Sequence, residues 1–231
     1  MNTKYITSCI LIISLLCLIC LALFAEEKTS KERYENIVKK IESDFGQANI
    51  PGLSLVFVDG DSVFFKSWGY ADFKNMIPVT SKTLFELGSN SKAFTALAIL
   101  KMQEEGLLRL EDKVSKYLPW FKSTYNGEEV QITLGTLLHH TSGIPMEIIS
   151  RIPQGNTDNM LERTVRENNN LELKKKPGEA FEYATINYDV LGLIIEKVSS
   201  LSFEEYLYEH IFQKLGMEST SVGDPKDNDL A

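Results

Sequence analysis

The pattern of hydrophobic and polar residues predicts a helix followed by a β-hairpin in the first third of the chain. Between residues 30 and 47, apolar side chains recur every three or four positions, as on one face of a helix: Tyr34, Ile37, Val38, Ile41 and Phe45. The segments 52–58 and 63–69 are rich in aliphatic and aromatic residues, and an Asp-Gly pair lies in the turn between them. We therefore expect one amphipathic helix and two antiparallel strands.

Helical patterns dominate the remainder of the chain. Apolar positions at helical spacing predict further helices over 93–105, 134–140, 159–167 and 189–199. Thr133 is the expected N-cap of the second of these, and an Asn-Gly pair at 126–127 predicts a turn before it. The segment 202–205 has the form of a capping box, which begins another helix that ends before Gly216. Only the hairpin has clear strand patterns.

The first residues have the pattern of a targeting segment. An apolar run from Ile6 to Ala25 follows the single charge of Lys4. The run approaches the ~20 apolar residues that span a bilayer, so it predicts either a signal peptide or an uncleaved membrane anchor over residues 1–25. We expect the chain to be exported, with the folded domain over residues 30–231.

The cysteine content indicates how the domain is stabilised, and the net charge indicates which partners it disfavours. All three cysteines lie in the predicted leader: Cys9, Cys17 and Cys20. The exported part is therefore expected to fold without disulfides and to be stabilised by its hydrophobic core. The formal net charge is −8 at pH 7. An acidic surface argues against nucleic acid and against an anionic membrane face as partners.

A serine and a lysine lie three positions apart at the start of the helix predicted over 93–105. Ser89 lies at or just before the first turn, and Lys92 follows three positions later. Three residues turn a helix through about 300°, so the two side chains share a face and come within hydrogen-bond reach. A serine hydroxyl becomes a nucleophile when a base takes its proton, and a neutral lysine can be that base. The helix N-terminus would add positive charge where an oxyanion forms.

The same residue types also fit a structural role. Serine is a common helix N-cap, and a lysine one turn later is usually solvated, so spacing alone favours that interpretation of Ser89 and Lys92. The adjacent His139 and His140 suggest a metal site or a general base. Neighbouring residues on a helix point about 100° apart, however, so two such histidines chelate one ion poorly.

The residues around Ser89 resemble a known nucleophile segment. The stretch Phe85-Glu86-Leu87-Gly88-Ser89-Asn90-Ser91-Lys92-Ala93-Phe94-Thr95 is similar to that of the serine β-lactamase-related family, which includes class C β-lactamases, D-Ala-D-Ala peptidases and related esterases. The resemblance implies that substrate acylates Ser89 and that Lys92 is its partner. It also implies an α+β fold of the DD-peptidase/β-lactamase type, in which an antiparallel sheet with flanking helices joins an all-helical region. A His-Thr-Ser-Gly turn, here 140–143, recurs in this family as a structural element.

A second segment, residues 177–192, resembles the family's Pro-Gly, aromatic pair and Tyr-x-Asn pattern, which leads into an apolar helix. Tyr183 falls on the motif tyrosine, and the resemblance implies that it transfers protons beside Ser89 and Lys92. The alternative is an aromatic side chain buried for packing. Thr185 stands where the family has an asparagine that binds a substrate amide carbonyl. A threonine hydroxyl is shorter and has a single donor, which favours ester substrates or a narrower range.

The third motif of the family, Lys/His-x-Gly on a strand of the main sheet, has no match after Tyr183. The letters of Lys214-Leu215-Gly216 fit, but these residues fall at a predicted helix end. We therefore interpret the chain as the N-terminal part of a larger enzyme or as a truncated product, with the C-terminal strands of the sheet missing. The loss of one oxyanion donor is expected to cost on the order of 100- to 1000-fold in rate.

Three functions remain open from the residues. The first is a serine hydrolase that forms an acyl-enzyme at Ser89 and acts on β-lactam, D-Ala-D-Ala peptide or ester substrates. The second is a truncated, non-catalytic relative that binds cell-wall peptide or a partner subunit. The third is a membrane-tethered structural domain. The first function needs no metal or organic cofactor. Its partner is a small-molecule or peptidoglycan-peptide substrate, met in the periplasm, outside the cell or at the outer face of the membrane, with attachment through residues 6–25 as one option.

Overall fold

The computed structural model describes residues 29–151 and 159–223. The chain divides into two compact units, and the boundary between them falls after Phe85. The leader predicted over 1–25 lies outside the described residues. Among those that are described, no helix has the length and apolar character needed to cross a bilayer.

In the first unit, a helix packs on one face of an antiparallel sheet whose strand order is β1-β2-β3. Its elements are helix α1 (29–45) and strands β1 (Gly52–Asp59), β2 (Ser62–Asp72) and β3 (Ile77–Pro78). Tyr34 of α1 stacks on Phe64 of β2 with 4.8 Å between ring centroids, and Phe45 contacts Trp68. The apolar face of the helix is therefore packed against the sheet, and the buried aromatic surface stabilises both. The helix and hairpin predicted from the sequence are confirmed.

The second unit is mainly helical. Its helices are α2 (Lys92–Glu104), α3 (Val114–Tyr117), α4 (Leu134–Leu138), α5 (Met160–Glu167), α6 (Ile186–Ser199) and α7 (Phe203–Leu207). Three short strands form a second sheet in the order β5-β4-β6: β4 (Ser123–Tyr125), β5 (Glu128–Val130) and β6 (Leu171–Glu172). The predicted capping box at Ser202 and the predicted N-cap at Thr133 are both formed.

Helix α6 lies at the centre of the second unit. The helices α2, α4, α5 and α7 all pack against it, and eight of its 14 residues are buried. A helix that is apolar on most sides is typical of such a central position. Gly192 allows close packing, because a Cβ there would lie 3.3 Å from Leu161 and 3.6 Å from Phe203. Helix α6 is thereby packed closely against α5 and the start of α7.

The structure corrects two expectations about its elements. The helix predicted from 189 begins at Ile186, three residues earlier. The pattern predicts two strands, whereas the described residues contain six. The strands β4 and β5 were missed because three residues are too few to show alternation, although the turn that joins them was predicted. Asn126 and Gly127 have φ of 53° and 80° there, as in the tight turns that favour Asn-Gly.

Candidate active site

Ser89 lies in a short 3-10 turn, Gly88–Ser91, that leads directly into α2. The sequence places this serine at or just before the first helical turn, and the structure has it just before. Gly88 has a φ of 52°, which a residue without a Cβ adopts at little cost. The Ser91 hydroxyl donates a 2.7 Å hydrogen bond to the Gly88 carbonyl. The turn therefore presents Ser89 at the N-terminal end of a 13-residue helix, where the helix dipole contributes positive potential.

The three polar groups singled out from the sequence lie together. The Ser89 Oγ is 2.8 Å from the Tyr183 hydroxyl, and the Lys92 Nζ donates to the same Oγ at 3.4 Å. The Lys92 ammonium also lies over two aromatic rings, 5.3 Å from the Tyr183 centroid and 5.8 Å from that of Tyr188. Residues from the start of α2 and from the segment before α6 thus converge on one oxygen atom.

The charge of Lys92 changes the chemistry of Tyr183. Hydrogen bonding to Lys92, and then to Ser89, lowers the pKa of the Tyr183 phenol, and this outweighs the opposing effect of burial. A nearby cation stabilises the phenolate over the phenol. The tyrosine is therefore in the phenolate form, which can accept a proton, in a larger fraction of molecules than a solvated tyrosine would be at neutral pH.

Thr185 is the residue before α6. Its carbonyl accepts the Tyr188 backbone N–H at 2.9 Å, and its hydroxyl makes a smaller contribution to the lowered pKa of Tyr183. Thr185 thus lies beside the tyrosine. Its predicted contact with substrate stays a prediction.

The two adjacent histidines have different environments. His139 is exposed, whereas only 8% of the His140 surface is exposed. The His140 ring packs against Tyr183, with 4.5 Å between centroids, and against Tyr188 at 5.2 Å. The sequence analysis treats His140 as part of a structural turn and does not predict its contact with the motif tyrosine. The contact joins residues 43 positions apart, so no local sequence pattern predicts it.

The turn that follows His140 is anchored by buried polar contacts. The Ser142 hydroxyl donates to the Asn187 Oδ1 at 2.8 Å, and it accepts the Ile144 backbone N–H at 3.2 Å. Gly143 is required for close approach, because a Cβ there would lie 2.0 Å from the Lys175 carbonyl oxygen. Ser142 is therefore a structural residue, as the sequence analysis proposed for this turn.

Asp189 is a half-buried acidic residue near the site that the sequence analysis did not single out. In the described part of the chain, its Oδ2 is buried and has no hydrogen-bond partner. Burial raises the pKa of Asp189 to about 6, while the Lys92 ammonium acts in the opposite direction. An acidic residue in the first turn of an otherwise apolar helix is the sequence signal that could have identified it.

We expect Asp189→Asn to stabilise the protein at neutral pH. The carboxyl has a higher pKa in the folded chain than its usual 3.8, so the folded state binds the proton more tightly than the unfolded state. Stability therefore falls as the pH rises from about 4 to about 6, by up to ~3 kcal/mol, and the uncharged variant avoids this loss. Urea unfolding of both proteins between pH 4 and pH 8 measures the difference, which should vanish near pH 4.

Asp112→Asn is the matched control, because its effect has the opposite sign. Hydrogen bonds from Lys116 and then Tyr117 lower the pKa of Asp112 to about 2. This group stabilises the fold above its usual pKa of 3.8, and the contribution is lost as the pH falls towards 2. The control variant should lose stability at neutral pH. Equal stability of Asp189→Asn and the unmodified chain from pH 4 to pH 8 would contradict the assignment.

The residues whose letters match the third motif do not lie in a strand. Lys214, Leu215 and Gly216 belong to a turn after the π-helical segment Tyr208–Phe212, and the Gly216 N–H donates to the Gln213 carbonyl at 3.3 Å. The prediction that these residues fall at a helix end is confirmed.

The chain is similar to known proteins over most of its length. The sequence model of the Beta-lactamase family matches residues 37–231. Protein flp of Staphylococcus aureus strain MW2 is 42% identical over 195 residues, which make up 84% of this chain and 39% of flp. The chain thus spans about two fifths of the length of that curated relative.

Two solved structures have the same fold. The octameric penicillin-binding protein homologue from Pyrococcus abyssi superposes with a TM-score of 0.74 and 34% identity, over 86% of this chain and 47% of that one. EstCE1, a hydrolase with promiscuous acyltransferase activity, superposes with a TM-score of 0.79 and 27% identity, over 88% of this chain and 56% of that one. The expected α+β fold of the DD-peptidase/β-lactamase type is confirmed.

Proposed function

The chain belongs to the Beta-lactamase family, and on that premise we propose that it is a serine hydrolase that forms an acyl-enzyme at Ser89. The observation that supports this function is the approach of two groups to one serine oxygen. The Ser89 Oγ lies 2.8 Å from the Tyr183 hydroxyl and 3.4 Å from the Lys92 Nζ. A hydroxyl nucleophile with a proton acceptor and a cation within hydrogen-bond reach is what covalent catalysis by serine requires.

Tyr183 is the proposed base for acylation. Hydrogen bonding to Lys92, and then to Ser89, lowers the pKa of the Tyr183 phenol, which supports a phenolate that takes the Ser89 proton. This changes the role given to Lys92 from its spacing alone, where it was the candidate base. As the Ser89 oxygen bonds to the substrate carbonyl carbon, the carbonyl electron pair moves to its oxygen, near the N-terminal end of α2.

The next steps use the same groups in reverse. When the tetrahedral intermediate collapses, its C–N or C–O bond breaks, and Tyr183 returns the proton to the departing nitrogen or oxygen. A water molecule then gives its proton to Tyr183 and attacks the acyl carbon. As the bond to Ser89 breaks, Tyr183 passes this proton to the serine oxygen, which releases a carboxylic acid and restores both the serine hydroxyl and the phenolate. The net reaction adds one water molecule across the substrate bond.

The proposed substrates are a β-lactam, a D-Ala-D-Ala peptide or an ester in the cell envelope. The names of the similar proteins point to penicillin binding in one case and to acyl transfer in another. Thr185 stands at the position of the motif asparagine and favours esters over amides, since its hydroxyl is shorter than an asparagine amide and has a single donor. Export through the predicted leader is part of the proposal.

Intact-mass measurement after incubation of the full chain with benzylpenicillin, and separately with p-nitrophenyl acetate, tests the function. Opening of a β-lactam ring leaves the whole antibiotic on the protein, whereas the ester leaves only an acetyl group. We expect a stoichiometric adduct that maps to Ser89. A folded chain that gives no adduct with either reagent would contradict the enzyme function and favour the non-catalytic relative, which binds ligand reversibly.

A further inference from the structure

The segment that carries Tyr183 is held on both sides by one residue. The Glu182 N–H, just before the tyrosine, donates to the His140 carbonyl oxygen at 2.7 Å. The Ala184 N–H, just after it, donates to the His140 Nδ1 at 3.2 Å. Both bonds are made to His140, one to its main chain and one to its side chain. The backbone from which the phenol extends is therefore fixed immediately before and after Tyr183.

The hydrogen bonds also define the protonation state of the His140 ring. A backbone N–H can only donate, so the Nδ1 that receives the Ala184 N–H must carry a lone pair. The Asn187 Nδ2 lies 3.1 Å from the same Nδ1. Because Nδ1 is an acceptor, the Asn187 amide turns its N–H towards the ring, and its Oδ1 then accepts the Ser142 hydroxyl at 2.8 Å. The imidazole is therefore neutral, with its proton on Nε2.

The charges around the ring favour this neutral form. Burial, and then the Lys92 ammonium on α2, lower the pKa of His140. The other titratable groups nearby are the phenols of Tyr183 and Tyr188, which contact the ring, and the Asp189 carboxyl next in sequence. The Glu182 carboxylate is paired with Lys174 and Lys175. A proton on Nδ1 would point at two donors, the Ala184 N–H and the Asn187 amide. The hydrogen bond from Ala184, which is one of the two that hold the Tyr183 segment, would then be lost.

Resting on the function proposed above, we propose that His140 is the positioning residue for Tyr183, and that it acts as a neutral hydrogen-bond acceptor and not as an acid or base. Its Nδ1 lone pair keeps the phenol within 2.8 Å of the Ser89 oxygen. Reaction rates are sensitive to such placement, because a displacement of about 1 Å can cost roughly 100-fold in rate.

Two substitutions at His140 test whether its acceptor atom or its side-chain volume positions Tyr183. His140→Asn keeps an acceptor close to the position of Nδ1 and suits the φ of 54° at this residue, whereas His140→Leu keeps apolar volume, removes the acceptor and is strained at that φ. His139→Asn, at the exposed neighbouring histidine, is the control. We expect the rate of Ser89 labelling to fall about 10- to 100-fold in the leucine variant. It should stay within about threefold in the asparagine variant and in the control.

The second readout does not depend on activity. With 13C label at the tyrosine Cζ, and with Tyr183→Phe to assign the signal, NMR follows the Tyr183 titration in the full chain. We expect its pKa to lie below the usual 10 in the unmodified chain and in His140→Asn, and to rise towards 10 in His140→Leu. A side chain that only stabilised the fold would lower the melting temperature without moving this titration.

Each outcome decides the role of His140. A folded His140→Leu chain with an unchanged Tyr183 titration overturns it, as does a His140→Asn chain whose titration shifts as far as that of the leucine variant. If the leucine variant does not fold, the asparagine variant and the 15N spectrum of the imidazole decide, and a proton on Nδ1 overturns the role. If the unmodified chain gives no adduct, the proposed hydrolase function fails, while the Tyr183 titrations still test the positioning by His140.

Discussion

Ser89→Ala is expected to abolish covalent labelling by both benzylpenicillin and the activated ester. The Ser89 Oγ is the atom on which Lys92 and Tyr183 converge, and a methyl group in its place cannot form an acyl bond. Turnover of any ester substrate should fall by at least about 10⁴-fold, because loss of a nucleophile removes the covalent route entirely. The measurement combines intact mass with peptide mapping of the adduct.

Ser91→Ala is the matched control for this result. Ser91 is the second serine of the same turn, but its hydroxyl donates to the Gly88 carbonyl. The control should still take up one adduct per chain. An adduct that survives Ser89→Ala and disappears in Ser91→Ala would move the nucleophile to Ser91 and contradict the proposed site.

Tyr183→Phe is expected to slow acylation of Ser89 by about 10²- to 10⁴-fold, the usual contribution of a general base. The variant keeps the ring that packs on His140 and under Lys92 and removes only the hydroxyl that lies 2.8 Å from the Ser89 oxygen. The pH dependence should change as well. In the unmodified chain, the rate should rise with pH through a pKa below the usual 10, because the phenolate is the active form. The variant should lose this rise.

Tyr188→Phe provides the comparison for Tyr183→Phe. Lys92 lies over both rings, but the Tyr188 hydroxyl donates to the Leu138 carbonyl at 3.0 Å. Its removal should cost about 1 kcal/mol of stability and leave the acylation rate within about threefold. Release of p-nitrophenol between pH 5 and pH 10 gives both rates and pH profiles. Equal losses of acylation rate in the two variants would contradict proton transfer by Tyr183. The packing around Lys92 would then limit the reaction.

The local elements of the fold follow from the sequence. The α1 helix, the β1–β2 hairpin and the caps of α4 and α7 depend on residues within a few positions of each other. The pairing of Ser89 with Lys92 is local in the same sense, since helical spacing brings residues three positions apart together. The short strands β4 and β5 were not predicted, because their pairing is set by the surrounding tertiary structure rather than by a pattern of three residues.

Tertiary structure alone brought the residues of the proposed site together. Tyr183 was found from a resemblance, but its contact with Ser89 joins residues 94 positions apart. The bond from the Ala184 N–H to His140 joins residues 44 positions apart, and no local pattern encodes it. Hydrogen bonding to Lys92 and then to Ser89 lowers the pKa of Tyr183, whereas burial raises the pKa of Asp189. The sequence thus predicted Ser89 and Lys92 as site residues, because residue type and helical spacing are local properties, and the family resemblance added Tyr183. The fold decided the placement of these residues and the direction of the Tyr183 pKa shift, because burial and electrostatic fields depend on neighbours brought together from distant parts of the chain.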